Sequence, residues 1–390
     1  MPFAEFVRTT GLGEEQARRA WDLIGSATYP WESRLMVASE MLASEQWITT
    51  GDPRIDELLG GGVRLGSIVE VVGESATGKT QLCLQLAIAA QLPESVGGAD
   101  GDVIYISTEG AFPAQRLAAM IDPFVGRVCG EQSPSSHIGG ADEFLRRIQV
   151  AELDDMETMF HALDYKVPAL LSTGRVRLVV IDSIAAHLRF DMDGGEGGFD
   201  GSRSFYRERT SHLVQMGAKF KRWADEYRCA FVCINQVTDI IGRNGGSEGN
   251  SAGQRPLLRP SPESATEGGS GLSAGLSLMD SDGEFEAMAR SRKAPALGAV
   301  WANTINVRIM MYQRRGLAQS DIVLADLGQG TTGQQQAVAP PRHLLRTRRW
   351  LENSLSPWAP SAQCEVVLDD GGFRHISSEQ SLDQGRQTRL

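Results

Sequence analysis

Eight consecutive residues, Gly73, Glu74, Ser75, Ala76, Thr77, Gly78, Lys79 and Thr80, have the types and spacing of a phosphate cradle. Backbone N–H groups turned inward around phosphate oxygens require glycine where the chain bends sharply and a side chain would intrude, here Gly73 and Gly78. Lys79 is then placed to reach the β- and γ-phosphates of a nucleoside triphosphate, and the Thr80 hydroxyl to ligate Mg2+. The setting makes the signal specific. The apolar run Ile68 to Val72 reads as a strand entering the loop, and Thr80 to Leu92 as a helix leaving it, whose N-terminus adds a dipole favourable to the same anion. A chance glycine-rich turn has neither flank. The expected ligand is ATP with Mg2+.

Three further elements fit that chemistry. "RLVVID" ends an apolar strand in Asp182, the form of the acid that holds Mg2+ through water across from the loop hydroxyl. By itself this is an ordinary strand-to-turn boundary, and only its pairing with the cradle makes it a magnesium-site candidate. Glu109, in "VIYISTEGAF", closes the strand after the cradle helix, where a carboxylate can polarise the water that attacks a γ-phosphate. The plain alternative is a solvated glutamate at a strand end. Asn235 and Gln236, in "CINQV", follow another apolar strand, where amides can sense the γ-phosphate and signal to the loop beyond. The alternative is again a simple strand-end amide. The catalytic candidates are therefore Glu109 and Lys79.

The elements that must position these groups read as α/β. From Trp47 to about Asp239, short β-branched runs alternate with longer helical patterns, which predicts a mostly parallel central sheet flanked by helices. The strand candidates are Ile68 to Val72, Val103 to Ser107, Arg177 to Ile181 and Ala230 to Ile234. A half-buried strand is expected at Thr304 to Met311, and a hairpin at Glu365 to Ile376 turning on Asp370-Gly371. Ahead of the core, residues 1–46 form a short helical region, with helical spacing in Glu14 to Ile24 and Glu32 to Leu42. The core spans 47–376, interrupted by Gly-, Ser- and Pro-rich stretches at about 242–294 and 316–342, which are expected to be disordered insertions, and 377–390 is a flexible tail.

Composition narrows the classes. The chain has 390 residues, 41% of them hydrophobic, enough for a substantial core. No run of apolar residues is long enough to span a bilayer, the first ten residues lack the regions of a secretory signal, and no membrane contact is expected. Five scattered cysteines show no zinc-clip spacing, so no structural metal is expected, and they read as thiols in a reducing compartment. A net charge of -11 argues against non-specific grip on a polyanion. Any nucleic-acid contact must be local or shared with a partner.

"ITTGDPRIDELLGGGVRLGSIVEVVGESATGKTQL", "YISTEGAFPAQRL", "RLVVIDSIAAHLRF", "CINQVTD" and "PALGAVWAN" together resemble the eukaryotic RecA-type recombinase family over about two-thirds of the chain. "VPALLSTGRVRLVVIDSIAAHLRF", "VCINQVTD" and "PALGAVWANTINVRI" are more similar to the family's mediator paralogues than to its filament-forming recombinase. The resemblance implies a RecA-like ATPase core that binds ATP and hydrolyses it weakly. It implies a nuclear protein of homologous recombination and double-strand break repair, a mediator subunit assisting recombinase loading on single-stranded DNA. Its partners would be another recombinase paralogue, as a heterodimer, and the main recombinase filament, with single-stranded or branched DNA met through the complex. The alternative is an autonomous DNA-dependent ATPase that forms its own filaments.

The resemblance also implies roles for single positions. Arg116 in "FPAQRL" would pack on adenine, and Pro295 in "KAPALG" would cover the nucleotide of an adjacent subunit. Two loops would face DNA. The first, running from Arg189 through "DMDGGEGGFDGSR" to Arg203, is acidic here, and the second is swollen by an insertion. Arg203, Arg207, Arg209, Arg290, Arg292 and Lys293 can still meet phosphate, although a solvated charged face is the commoner meaning of such charges. Leu35 and Ala38 in "LMVASEM" correspond to the aromatic and alanine of a linker that adds as a strand to a neighbouring subunit's sheet; read on its own spacing, the same segment is equally a helix.

Overall fold

A computed structural model describes residues 3–28, 37–130, 140–186, 188, 199–239, 293–317 and 345–376. Its centre is a nine-stranded sheet. In chain order the strands used below are β1 (Trp47–Ile48), β2 (Val63–Arg64), β3 (Ile68–Gly73), β4 (Asp102–Ser107), β5 (Ile148–Glu152), β6 (Val176–Asp182), β7 (Ala230–Asn235), β8 (Val237–Asp239), β9 (Lys293–Pro295), β10 (Val307–Leu317), β11 (Leu345–Leu355), β12 (Ala362–Asp369) and β13 (Gly372–His375). The sheet order is β13-β12-β11-β10-β3-β7-β6-β4-β5. From β10 to β5 every pairing is parallel. From β10 to β13 the chain runs back and forth as an antiparallel meander. β1 with β2, and β8 with β9, form two small ribbons.

The central strands are apolar on both faces because both faces are covered. Side chains alternate across a strand, so each strand feeds two cores. Val69 and Val71 of β3, Val103 and Tyr105 of β4, Leu178 and Val180 of β6, and Val232 and Ile234 of β7 enter one core. Ile68, Ile104, Ile106, Val179, Ile181, Phe231 and Cys233 enter the other. In chain order the helices up to the long one are α1 (Phe3–Thr10), α2 (Glu14–Thr28), α3 (Ala38–Ala43), α4 (Pro53–Leu59), α5 (Lys79–Ala89), α6 (Ala114–Cys129), α7 (Ala141–Arg146), α8 (Met156–His161), α9 (Val167–Leu171) and α10 (Phe199–Tyr227), and α5 and α6 close the first core. The second is closed by the long helix Phe199–Tyr227 (α10), through Leu213, Met216, Phe220, Trp223 and Ala224, with Trp301 packed edge-on against Phe220.

The four expected central strands form, each within one or two residues of its expected ends. The expected strand at Thr304 begins later, at Val307, and runs to Leu317. Thr304 instead closes a helical turn on the Trp301 carbonyl, and Asn306 brackets Ile68 through its backbone N–H and its side-chain oxygen. The Asp370-Gly371 turn joins β12 to β13 as expected from its sequence. β11 was not foreseen. Its "RTRRW" opening is too charged to read as an apolar run, and its place comes from pairing with β10. Of the two suggested insertions, residues 242–292 and 318–342 lie outside the described residues, as does the tail 377–390, whereas 293–294 and 316–317 belong to β9 and β10.

In the N-terminal region, helices Phe3–Thr10 (α1) and Glu14–Thr28 (α2) meet through Phe3, Phe6 and Trp21, with ring centroids 5.8 and 5.1 Å apart. A short helix, Ala38–Ala43 (α3), follows extended Val37 and buries no residue. Ala38 therefore starts a helix in the single chain. Leu35 lies outside the described residues. Among the described residues no helix is long and apolar enough to cross a membrane, and no group of acidic, histidine and cysteine side chains is arranged to hold a structural metal.

Candidate nucleotide site

The cradle joins β3 to α5 at the C-terminal edge of the parallel strands, where such sheets place their ligand crevices. Its two glycines answer to packing as well as to phosphate. A β-carbon at Gly73 would stand 2.6 Å from the Met311 carbonyl oxygen and 2.8 Å from Thr77 Oγ1. Gly78 caps α5 in the left-handed region at φ 106°, and a β-carbon there would stand 2.4 Å from the Phe373 ring. Ala76 is also left-handed, at φ 63°. Thr77 Oγ1 donates to the Glu74 carbonyl at 2.9 Å, which tightens the turn. Gln313 of β10 donates to the Ser75 carbonyl at 3.1 Å. The Lys79 ammonium donates to the carbonyls of Gly73, at 2.9 Å, and Glu74, at 2.7 Å, so it lies across the mouth of the loop. The Glu74 carboxylate pairs with Lys293 of β9.

Asp182 stands across from Thr80. The Thr80 hydroxyl donates to Asp182 Oδ2 at 2.7 Å, and the Tyr105 hydroxyl donates to the same oxygen at 2.9 Å. Burial pushes the Asp182 carboxyl above the usual range, the bonds from Thr80 and Tyr105 pull it back, and nearby Glu109 adds to the rise. Burial, then the Asp182 charge, pushes the Tyr105 hydroxyl well up, so it remains a donor. Tyr105 is not among the candidates that the sequence offers. Its only signal was a tyrosine inside an otherwise aliphatic strand, two residues before a strand end.

Glu109 and Gln236 also meet. Gln236 Nε2 donates to both Glu109 oxygens, at 2.8 and 3.0 Å, and the Ser183 hydroxyl donates to Glu109 Oε1 at 2.8 Å. Asn235 does not join them. Its amide turns into the protein and donates to Glu70 Oε1 at 2.6 Å, while its own oxygen accepts the Gln236 N–H at 2.8 Å. Glu70 is fully buried and takes a second bond from Arg308 Nε at 2.6 Å, so the strand entering the cradle carries an ion pair inside the sheet. Burying a carboxylate is costly unless it is paired and hydrogen-bonded in this way. Of the two amides suggested to sense a γ-phosphate, Gln236 faces Glu109, and Asn235 faces Glu70 and accepts the Gln236 N–H.

The remaining candidates are more dispersed. Arg116, on α6, donates to Gln81 Oε1 at 2.7 Å and to the Asp369 carbonyl at 2.9 Å, tying the start of α5 to the β12–β13 turn. Pro295 is in β9, opposite Val237 of β8, and the next residue, Ala296, donates its N–H to the Gln236 carbonyl at 2.8 Å. Within one chain Pro295 is therefore beside the Gln236 end of the site. Arg189, Arg290 and Arg292 lie outside the described residues, and Arg203 is described only as backbone of α10. Arg209 is used internally, donating to the carbonyls of Leu188 at 2.7 Å and Ala296 at 3.0 Å.

The sequence profile of the Rad51 family matches residues 43–256, a span that contains the cradle, Glu109, Asp182 and Gln236. The chain is similar to DNA repair protein XRCC3 of Mus musculus, with 32% identity over 336 residues, covering 86% of this chain and 77% of that one. It is 28% identical to the DNA repair protein XRCC3 homolog of Arabidopsis thaliana, covering 84% of this chain and 92% of the relative. It is 27% identical to DNA repair protein rhp57 of Schizosaccharomyces pombe, covering 71% and 72%. With a RecA-like α/β core, a cradle in the required strand-to-helix setting and this extent of similarity, the chain belongs to the Rad51 family.

Proposed function

We propose that this chain is an ATP-binding recombinase paralogue that acts in homologous recombination and double-strand break repair, as a mediator that helps the recombinase load on single-stranded DNA. The observation that carries the reading is the convergence of Lys79, Thr80, Asp182, Glu109 and Gln236 at one edge of adjacent parallel strands. The donor set fits Mg-ATP. Lys79 is held by carbonyls that an anion can replace, Thr80 and Asp182 offer oxygen to a hard cation, and Gly73 leaves no room for a side chain. When bound, Mg2+ would supply charge neutralisation of the β- and γ-phosphate oxygens. Lys79 and the cradle amides bind and orient the triphosphate. Gln236 and Ser183 hold Glu109 as the acceptor for a proton from attacking water, an arrangement that supports weak hydrolysis. Similarity to proteins named for DNA repair supports the pathway and, with it, action in the nucleus.

The mediator role assigns this chain a partner paralogue, as a heterodimer, and contact with the recombinase filament and with single-stranded or branched DNA through that complex. The acidic balance of -11 and the internal use of Arg209 support DNA contact shared with a partner. The complete Glu109–Gln236 pairing favours a second reading, an autonomous DNA-dependent ATPase that polymerises on DNA. Gel filtration of the chain alone and with co-expressed paralogues, with and without single-stranded DNA and ATP, separates them. A stoichiometric heterodimer is the expected result. Large assemblies of the lone chain that need ATP and DNA would overturn the mediator reading.

A further inference from the structure

We propose that Tyr105 is a positioning residue of the nucleotide site, whose buried hydroxyl holds the Asp182 carboxylate facing the divalent cation that accompanies the nucleotide. The proposal rests on the Mg-ATP reading above and extends it to a residue outside the cradle. Tyr105 belongs to β4, opposite Val180 of β6, and Asp182 is its diagonal neighbour two positions further along that strand. Diagonal pairs in a sheet are within reach of an aromatic side chain. The hydroxyl covers the gap and donates to Asp182 Oδ2 at 2.9 Å, alongside Thr80 at 2.7 Å.

The ring cannot swing away. Tyr105 is 0% exposed, in the core under α5, and Phe112 meets it edge-on at a centroid distance of 4.8 Å and 64°. A carboxylate on a strand end has rotational freedom of its own, and two donors on Oδ2 remove it and orient Oδ1 as well, on which no donor is seen among the described residues. Thr80 is itself drawn on by the nucleotide's cation in the Mg-ATP reading, so it is an inconstant anchor. Tyr105 belongs to the rigid sheet and is a constant one. Groups that orient a metal-facing ligand from behind typically change metal affinity when removed, while the ligand itself stays in place.

A buried phenol also needs a hydrogen-bond partner for its own sake, so a purely structural role must be distinguished. Tyr105→Phe keeps the ring and removes only the hydroxyl. In the full chain, the affinity for a fluorescent ATP analogue is measured across a Mg2+ titration and in chelator, together with the melting temperature. The expected result is a half-saturating Mg2+ concentration raised by about tenfold, with metal-free affinity unchanged. In an Asp182→Asn background the same substitution should add no further shift, because the group it positions is gone. A lowered melting temperature with superimposed Mg2+ curves, or an equal shift in both backgrounds, would overturn the proposal and leave the Mg-ATP reading standing. Nucleotide binding by the wild type that is indifferent to Mg2+ would overturn both.

Discussion

Gln236 and Glu109, 127 positions apart in the chain, face each other with the amide of one donating to both carboxylate oxygens of the other, at 2.8 and 3.0 Å. The bond ties the end of β7 to the end of β4 across β6. A γ-phosphate arriving between them would compete for the same amide, so a nucleotide could be felt by the β8–β9 ribbon that begins one residue after Gln236. Glu109→Gln is expected to retain nucleotide affinity within about twofold and to lower turnover by about 100-fold or more, the usual loss of a general base. Single-turnover hydrolysis beside equilibrium binding makes the measurement. Equal turnover in the variant would remove Glu109 from the chemistry.

Lys79 is the cradle's cation, and it donates to two carbonyls of the loop itself. Loss of a charge-assisted bond to an anion costs about 1.5–3 kcal/mol, or about 10- to 150-fold in affinity. Calorimetric titration of Lys79→Ala with Mg-ATP should show a loss in that range with the fold intact. Unchanged affinity would place the nucleotide elsewhere.

Gly78 is required twice over, by its φ of 106° and by the Phe373 ring 2.4 Å from where a β-carbon would stand. Strain in this backbone region costs about 1–3 kcal/mol, and overpacking a core adds about 1–3 kcal/mol. Gly78→Ala should lower the melting temperature by several degrees, about 1–2 °C for each kcal/mol in a chain of 390 residues. Phe373→Leu, combined with it, should restore part of the loss by relieving the clash and leaving the backbone strain. If the double variant melts below both singles, Phe373 is not what the β-carbon meets.

Ala38 opens α3, and Val37, Met41 and Leu42 around it are 63%, 52% and 71% exposed, an apolar surface left open in the single chain. If this linker joins the partner paralogue, then Ala38→Glu or Leu35→Glu should reduce co-purification of the partner by at least about tenfold, the effect of burying one unpaired charge. Mg-ATP binding by the chain alone should be unaffected. Wild-type yields of the pair from both variants would move the contact to the core surface.

What could be read from the sequence was whatever lies contiguous in it. The cradle is eight neighbouring residues whose function is set by backbone geometry, and the parallel strands announce themselves because burial on both faces demands unbroken apolar runs. Asp182, Glu109 and Gln236 were legible as polar ends of such runs. What only the tertiary structure decided is which neighbour each of them has. Asn235 and Gln236 look like one functional pair in the sequence, yet successive side chains of an extended segment point in opposite directions, and Asn235 turns inward to Glu70, whose other oxygen takes Arg308. Glu70 is a lone acidic residue in an apolar strand of the sequence, and its pairing with Arg308, 238 positions away, appears only in the closed sheet. Phe373 fixes Gly78, and Tyr105 fixes Asp182, through strand order and register. Those are properties of distant segments brought side by side. Local propensity carries no record of them, because the free energy that selects each pairing is gained only when the whole sheet closes.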